Sequence, residues 1–99
     1  MTIQTVKEDA KVTLALEGRL DTITAPELEK ALNGLNGEMS ELVFDFTSLD
    51  YISSAGLRVL LSEQKALQKA GGKMYVRNVN DVIMEVFEIT GFVDVLTII

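Results

Sequence analysis

Ninety-nine residues, 47% of them hydrophobic, suffice for one domain with a single core (1–99) and are too apolar for a disordered segment. The net charge of −6 disfavours direct nucleic-acid binding, which needs Lys and Arg in excess. With no His and no Cys there is no Ser-His or Cys-His pair, no usual zinc ligand and no disulfide framework, so the chain reads as a non-enzyme without cofactor or metal. The absence of Cys leans toward a reducing compartment, and the longest apolar runs fall far short of the roughly 20 residues of a membrane helix. A cytoplasmic protein without membrane insertion is expected.

Ile3–Lys7 and Val12–Leu16 alternate and predict two strands of an antiparallel hairpin around Glu8-Asp9-Ala10. Gly18-Arg19-Leu20-Asp21 closes the second strand and begins a loop. Thr24-Ala25-Pro26-Glu27 fits a capping box, with Thr at the cap and Glu three residues on. Leu28, Ala31, Leu32 and Leu35 follow as the apolar stripe of a helix, and Asn33-Gly34 and Asn36-Gly37 mark its end. Leu42–Phe46, apolar except for Asp45, predicts a central strand covered by helices.

A helix from about Ala55 to Ala70 comes next, with Leu57, Leu60, Leu61 and Leu67 on one side and Gly71-Gly72 as its stop. Met74–Val76 is a short strand. Asn78 or Asn80 caps a third helix, whose inner face is Val82, Ile83, Val86 and Phe87 and whose stop is Gly91. Met74, Met84, Phe87 and Phe92 read as packing residues. Val93–Ile99 is β-branched and apolar and predicts a closing strand. The order ββαβαβαβ predicts a mixed α/β fold, a mixed four- to five-stranded sheet with helices packed against it.

Ser53 and Ser54 stand where a strand gives way to a helix. Free N–H groups and the positive end of the helix dipole open there, a setting that accepts an anion or a phosphate borne by a serine. The plainer reading is that one serine caps the helix. Arg58, Ser62, Lys65 and Lys69 recur at i, i+4, i+7 and i+11 and set a mainly basic stripe beside Ser54. It either meets an acidic partner, or the phosphate through Arg58, or is simply a solvated face.

In their order and spacing, Gly18-Arg19-Leu20-Asp21, Leu42–Phe46, Ser53-Ser54-Ala55-Gly56-Leu57 and Gly71-Gly72-Lys73-Met74 resemble the STAS domain of bacterial anti-sigma-factor antagonists over nearly the whole chain. The resemblance implies a regulatory phosphoprotein that works by partner switching. Unphosphorylated, it binds an anti-sigma-factor serine kinase and so frees the sigma factor; the kinase phosphorylates one serine, and a metal-dependent serine phosphatase reverses the mark. The serine two residues before the Gly is Ser54, with Ser53 the second choice because the family commonly has Asp at that place. Asp21, Ser53, Gly56 and Arg58 are the partner-binding positions it suggests.

Three alternatives remain open on the sequence. One is a STAS subunit of a lipid-transport or stress-signalling assembly without a phospho-switch. Another is a small enzyme using Asp21, Asp45 and Asp50, which needs a divalent metal. The last is a nucleotide-binding loop before Ser53, which lacks a Gly-rich phosphate loop.

Overall fold

The structure, a computed structural model, describes residues 1–35 and 37–99. Strands β1 (Thr2–Glu8) and β2 (Lys11–Leu20) form the expected hairpin around Asp9-Ala10, with Asp9 in the left-handed region (φ 57°). Helix α1 (Ala25–Asn33), strand β3 (Glu41–Ile52), helix α2 (Ser54–Lys69), strand β4 (Lys73–Arg77) and helix α3 (Asp81–Thr90) follow, then a 3-10 turn at Phe92–Asp94. The sheet has four strands in the order β1-β2-β3-β4, antiparallel in the hairpin and parallel from β2 onward. The Asn36 part of the expected stop of α1 lies outside the described residues.

Alternation decides which face the helices cover. Val12, Leu14 and Leu16, then Leu42, Phe44 and Phe46, then Met74 and Val76 join Leu28 and Leu32 of α1, Leu57 and Leu60 of α2, and Ile83 and Phe87 of α3 in one continuous core. Thr13, Ala15, Asp45, Tyr75 and Arg77 point to the other face and are only half-buried. The expectation that β3 is covered on both faces is therefore corrected: the helices lie on one face only.

Strand β3 is also longer than Leu42–Phe46. Phe46 and Thr47 stand opposite Leu16 alone, and Asp50 is an extra residue between the pairs Gly18–Leu49 and Arg19–Tyr51. Each added residue flips the side-chain alternation. The inward positions of β3 thus run Leu42, Phe44, Phe46, then Leu49 and Ile52, all buried, while β2 keeps its period of two through to Leu20.

The chain end corrects a second expectation. Gly91 (φ 81°) closes α3 in the left-handed conformation, and Val95 and Leu96 N–H groups bond back to the Phe92 carbonyl. The turn drives Leu96 into the core, so too few residues remain for a full strand. The remainder makes a single parallel bridge, Val76 to Ile98, with hydrogen bonds of 2.9 Å from Val76 N to Thr97 O and from Ile99 N to Val76 O.

Gly56 brings α2 onto the sheet. A Cβ there would stand 2.7 Å from Leu20 Cγ and 2.8 Å from Ile52 Cγ1, both on fully buried side chains. Gly→Ala in a helix ordinarily stabilises by about 1 kcal/mol, whereas overpacking a core costs about 1–3 kcal/mol. The second effect wins at so close an approach, so Gly56→Ala should lower urea-unfolding stability by up to about 2 kcal/mol. A rise in stability would show that the helix does not need this close approach.

Candidate functional site

Strands β2 and β3 end together, Leu20 paired with Ile52, so the segments that leave them start side by side. Ser53 N–H donates to the Leu20 carbonyl (2.9 Å), and the Ser53 carbonyl accepts from Leu57 N–H (3.0 Å), the first turn of α2. Ser53 is the N-cap residue in extended conformation (φ −101°, ψ 177°), but its hydroxyl makes no capping bond. That Oγ is buried without a hydrogen-bond partner among the described residues. Ser54, the first residue of α2, is exposed. Of the two hydroxyls, Ser54 is the one open to solvent.

No side chain caps α2, and its first turn holds no acidic residue. The other two helix starts each carry an acid in the first turn, and one of them is capped by a side chain. At α3 the Asn80 carboxamide accepts from Ile83 N–H (2.8 Å) and donates to the Leu49 carbonyl (2.9 Å), with Asp81 beside it. At α1 the expected capping box does not form: Thr24 makes no side-chain cap, and Glu27 merely lies in the first turn. The Thr24 hydroxyl turns back instead, donating to the Arg19 carbonyl (2.8 Å) and accepting from Asp21 N–H (2.9 Å).

Asp21 therefore organises the β2–α1 loop. Its Oδ1 accepts from Ile23 N–H (3.0 Å) and Thr24 N–H (3.1 Å). The Thr24 N–H, helped by the Ile23 N–H and the Arg19 charge and opposed by partial desolvation, holds its carboxyl below the usual carboxylate range. The other oxygen, Oδ2, lies 3.8 Å from Arg19 Nε, and the Arg19 guanidinium sits 4.2 Å from the centre of the Tyr51 ring. A fixed carboxylate, a stacked guanidinium and an exposed helix-start hydroxyl thus share the end of the sheet where β2 and β3 stop. The adjacent Ile23 is 83% exposed on this hydrogen-bonded loop.

Gly56, expected among the partner-binding positions, is buried against Leu20 and Ile52, so its side of the helix offers no docking surface. Arg58 is exposed one turn along and lines a cavity of about 210 Å³ with Glu29, Asn33, Ser62 and Glu63. Ser62, Lys65 and Lys69 are exposed with it. Glu63 is buried, one carboxyl oxygen lacking a partner, and burial pushes its pKa up.

Asp21, Asp45 and Asp50 do not come together as one carboxylate site. Asp50 is exposed at the second bulge of β3. Asp45 lies on the open face of the sheet, where Thr47 Oγ1 (2.6 Å), Thr47 N–H (3.0 Å), Asn78 Nδ2 (3.0 Å) and Arg77 (3.4 Å) all donate to it. Among the described residues no three acidic side chains are placed to hold a metal ion.

The STAS domain family model matches residues 2–99. The chain belongs to the STAS family. It is 30% identical over 97 residues to the anti-sigma-B factor antagonist of Staphylococcus aureus (strain NCTC 8325 / PS 47), covering 97% of this chain and 90% of that one. Its fold matches an anti-sigma factor antagonist from Mycobacterium paratuberculosis (TM-score 0.87, 23% identity, 98% of this chain and 83% of that one). It also matches the Bacillus cell fate determinant SpoIIAA in its phosphorylated form (TM-score 0.79, 18% identity, 99% and 91%). Against the unphosphorylated form of SpoIIAA the TM-score is again 0.79, at 17% identity over 99% of this chain and 87% of that one. No helix among the described residues of this STAS domain is long and apolar enough to cross a membrane.

Sequence reasoning did not single out Arg19, Tyr51 or Ile23 at this end of the sheet. Arg19 stands within the Gly18–Asp21 motif, but its pairing with Tyr51 depends on the bulge at Asp50, which no periodicity announces.

Asp45 gives a pH test of the open face. Burial raises its pKa, but the Thr47 hydroxyl, the Asn78 amide, the Thr47 N–H and the Arg77 charge outweigh that and hold it at about 2, against 3.8 in the unfolded chain. A depressed folded-state value means stabilisation that is present above about pH 4 and lost as pH falls through about 2. Asp45→Asn should lower stability at neutral pH by about 1–2 kcal/mol and flatten the loss on acidification below pH 4, read by urea unfolding. An unchanged acid limb would show that the Asp45 network carries none of it.

Proposed function

We propose that this STAS domain is an anti-sigma-factor antagonist acting in the cytoplasm as a protein-binding phospho-switch with Ser54 as the modified residue. Its partners in this reading are an anti-sigma-factor serine kinase, which it sequesters while unphosphorylated, and a metal-dependent serine phosphatase that restores it. The observation that carries the proposal is the contrast at the start of α2. The Ser54 hydroxyl is exposed on a helix whose opening turn has neither a side-chain cap nor an acid, while the Ser53 hydroxyl is turned inward. The family membership supports the partner class, and Asp21 and Arg58 flank the serine as contact residues.

Phosphate adds roughly −1.5 to −2 charges and three strong acceptors. At a helix N-terminus that charge is favoured by about 0.3–1 kcal/mol, so the domain keeps its fold. In the middle of a docking surface the same dianion must be buried unpaired, and a penalty of about 3 kcal/mol weakens binding more than a hundredfold. The surface changes while the backbone stays.

Incubation with ATP and the candidate kinases of the same genome should add one phosphate by intact mass, and Ser54→Ala should abolish the gain while Ser53→Ala keeps it. The phosphorylated protein should bind the kinase about a hundredfold more weakly yet melt within a few degrees of the unmodified one. A phosphate that persists in Ser54→Ala moves the site elsewhere, and equal affinity of both forms removes the switch.

A further inference from the structure

The charge of the chain is unevenly spread. All nine Lys and Arg residues lie within 1–77, whereas residues 78–99 carry Asp81, Glu85, Glu88 and Asp94 and no cation, a net −4 out of −6. All four acids are exposed. The same segment holds Val82, Ile89, Val93, Val95 and Ile99, five of the seven exposed large hydrophobic residues among those described.

Helix α3 arranges part of this set in one stripe. Of the inner face expected for α3 only Ile83 and Phe87 point into the core; Val82 is exposed instead, and Val82, half-buried Val86 and Ile89, at i, i+4 and i+7, run along the flank of the helix. Val82 is 58% and Ile89 78% exposed. Asp81, Glu85 and Glu88 lie on the outward side next to the stripe. The 3-10 turn folds back on α3 and adds exposed Val93, with Asp94 beside it. Apolar centre and acidic rim is the composition of a recognition surface.

Charge decides what fits it. A second copy docking by a two-fold axis would set one acidic rim against another. An anionic lipid surface is repelled for the same reason. We infer that the α3 flank is a docking surface for a basic amphipathic helix of a partner protein, with Val82, Val86 and Ile89 covered by its apolar face and Glu85 and Glu88 paired with its Lys or Arg residues. The surface does not involve Ser54, so it tests independently of the switch.

The probe is a fluorescein-labelled peptide of leucine and lysine in helical register, with a scrambled peptide of the same composition as control, followed by anisotropy. The amphipathic peptide should bind at least tenfold more tightly than the scramble. The double variant Val82→Ser, Ile89→Ser keeps every charge and should lose about tenfold in affinity, a loss typical of truncated apolar anchors. Glu85→Gln with Glu88→Gln should flatten the salt dependence between about 50 and 300 mM NaCl. Ser54→Asp should leave binding unchanged. Circular dichroism checks that each variant is folded; the substituted side chains are exposed, and a fold-neutral Ile89→Lys serves as a further variant that should also abolish binding. Equal binding of both peptides, or no effect of Val82→Ser with Ile89→Ser, overturns the inference, because attraction would then be charge alone. So would a dimer that dissociates in the same variant, or binding to anionic vesicles through this stripe, since the occupant would then be a second copy or a membrane.

Discussion

The contact that fixes the functional end of the sheet is the seating of α2 on the last paired residues of two parallel strands. Leu20 and Ile52 end their strands together, Ser53 N–H reaches back to the Leu20 carbonyl, and Gly56 lets the helix backbone settle directly on both side chains. From those three facts the rest of the site follows. The chain after Leu20 must turn beside Ser53, which puts Asp21 there; the chain after Ile52 must enter a helix at once, which leaves Ser54 on its outer surface. A side chain at position 56 would lift the helix off the sheet and separate the two loops.

Much of this was legible in the residues because local signals and tertiary packing agree. Apolar stripes at helical spacing named α1, α2 and α3, and the glycines after α2 and α3 are in the left-handed region, as helix stops require (Gly71, φ 79°; Gly91, φ 81°). The misreadings have one physical source each. Strand β3 looked short because its inward positions change from a spacing of two to a spacing of three after Phe46, and that rhythm resembles neither a strand nor a helix. Only the partner strand reveals it: β2 keeps its period, so β3 carries the extra residues as bulges. Val93–Ile99 has a strand's composition, yet Gly91 turns the chain so sharply that Leu96 is taken for the core. Composition records what a segment would bury, and the preceding turn decides how.

The site divides in the same way. The exposure of Ser54 follows from its place as first helical residue, one position before the start expected at about Ala55. The inward turn of the Ser53 hydroxyl does not follow from sequence, since Ser at an N-cap ordinarily bonds a backbone N–H two or three residues on. Nor does the stacking of Arg19 on Tyr51, which needs the bulge at Asp50 to bring the two into register. Asp21 is one of the partner-binding positions that the resemblance suggests. Its Oδ1 is taken up by the Ile23 and Thr24 N–H groups, so it holds the loop. The second oxygen, facing Arg19, is the part left for anything else.

That residue 53 is a serine and not an acid has a consequence for charge. A carboxylate at the N-cap would itself occupy the positive end of the helix dipole and would stand next to any anion on residue 54, where like charges repel. An uncapped start with no acid in its first turn leaves that positive end uncompensated by side chains. Under the proposed switch, a phosphate on Ser54 would meet the dipole and the opening N–H groups without a neighbouring carboxylate at position 53. The unbonded Ser53 hydroxyl then has a physical meaning: burying it without a partner costs about 1–3 kcal/mol. That cost falls alike on the unmodified and the phosphorylated form, so it lowers the stability of both without separating them.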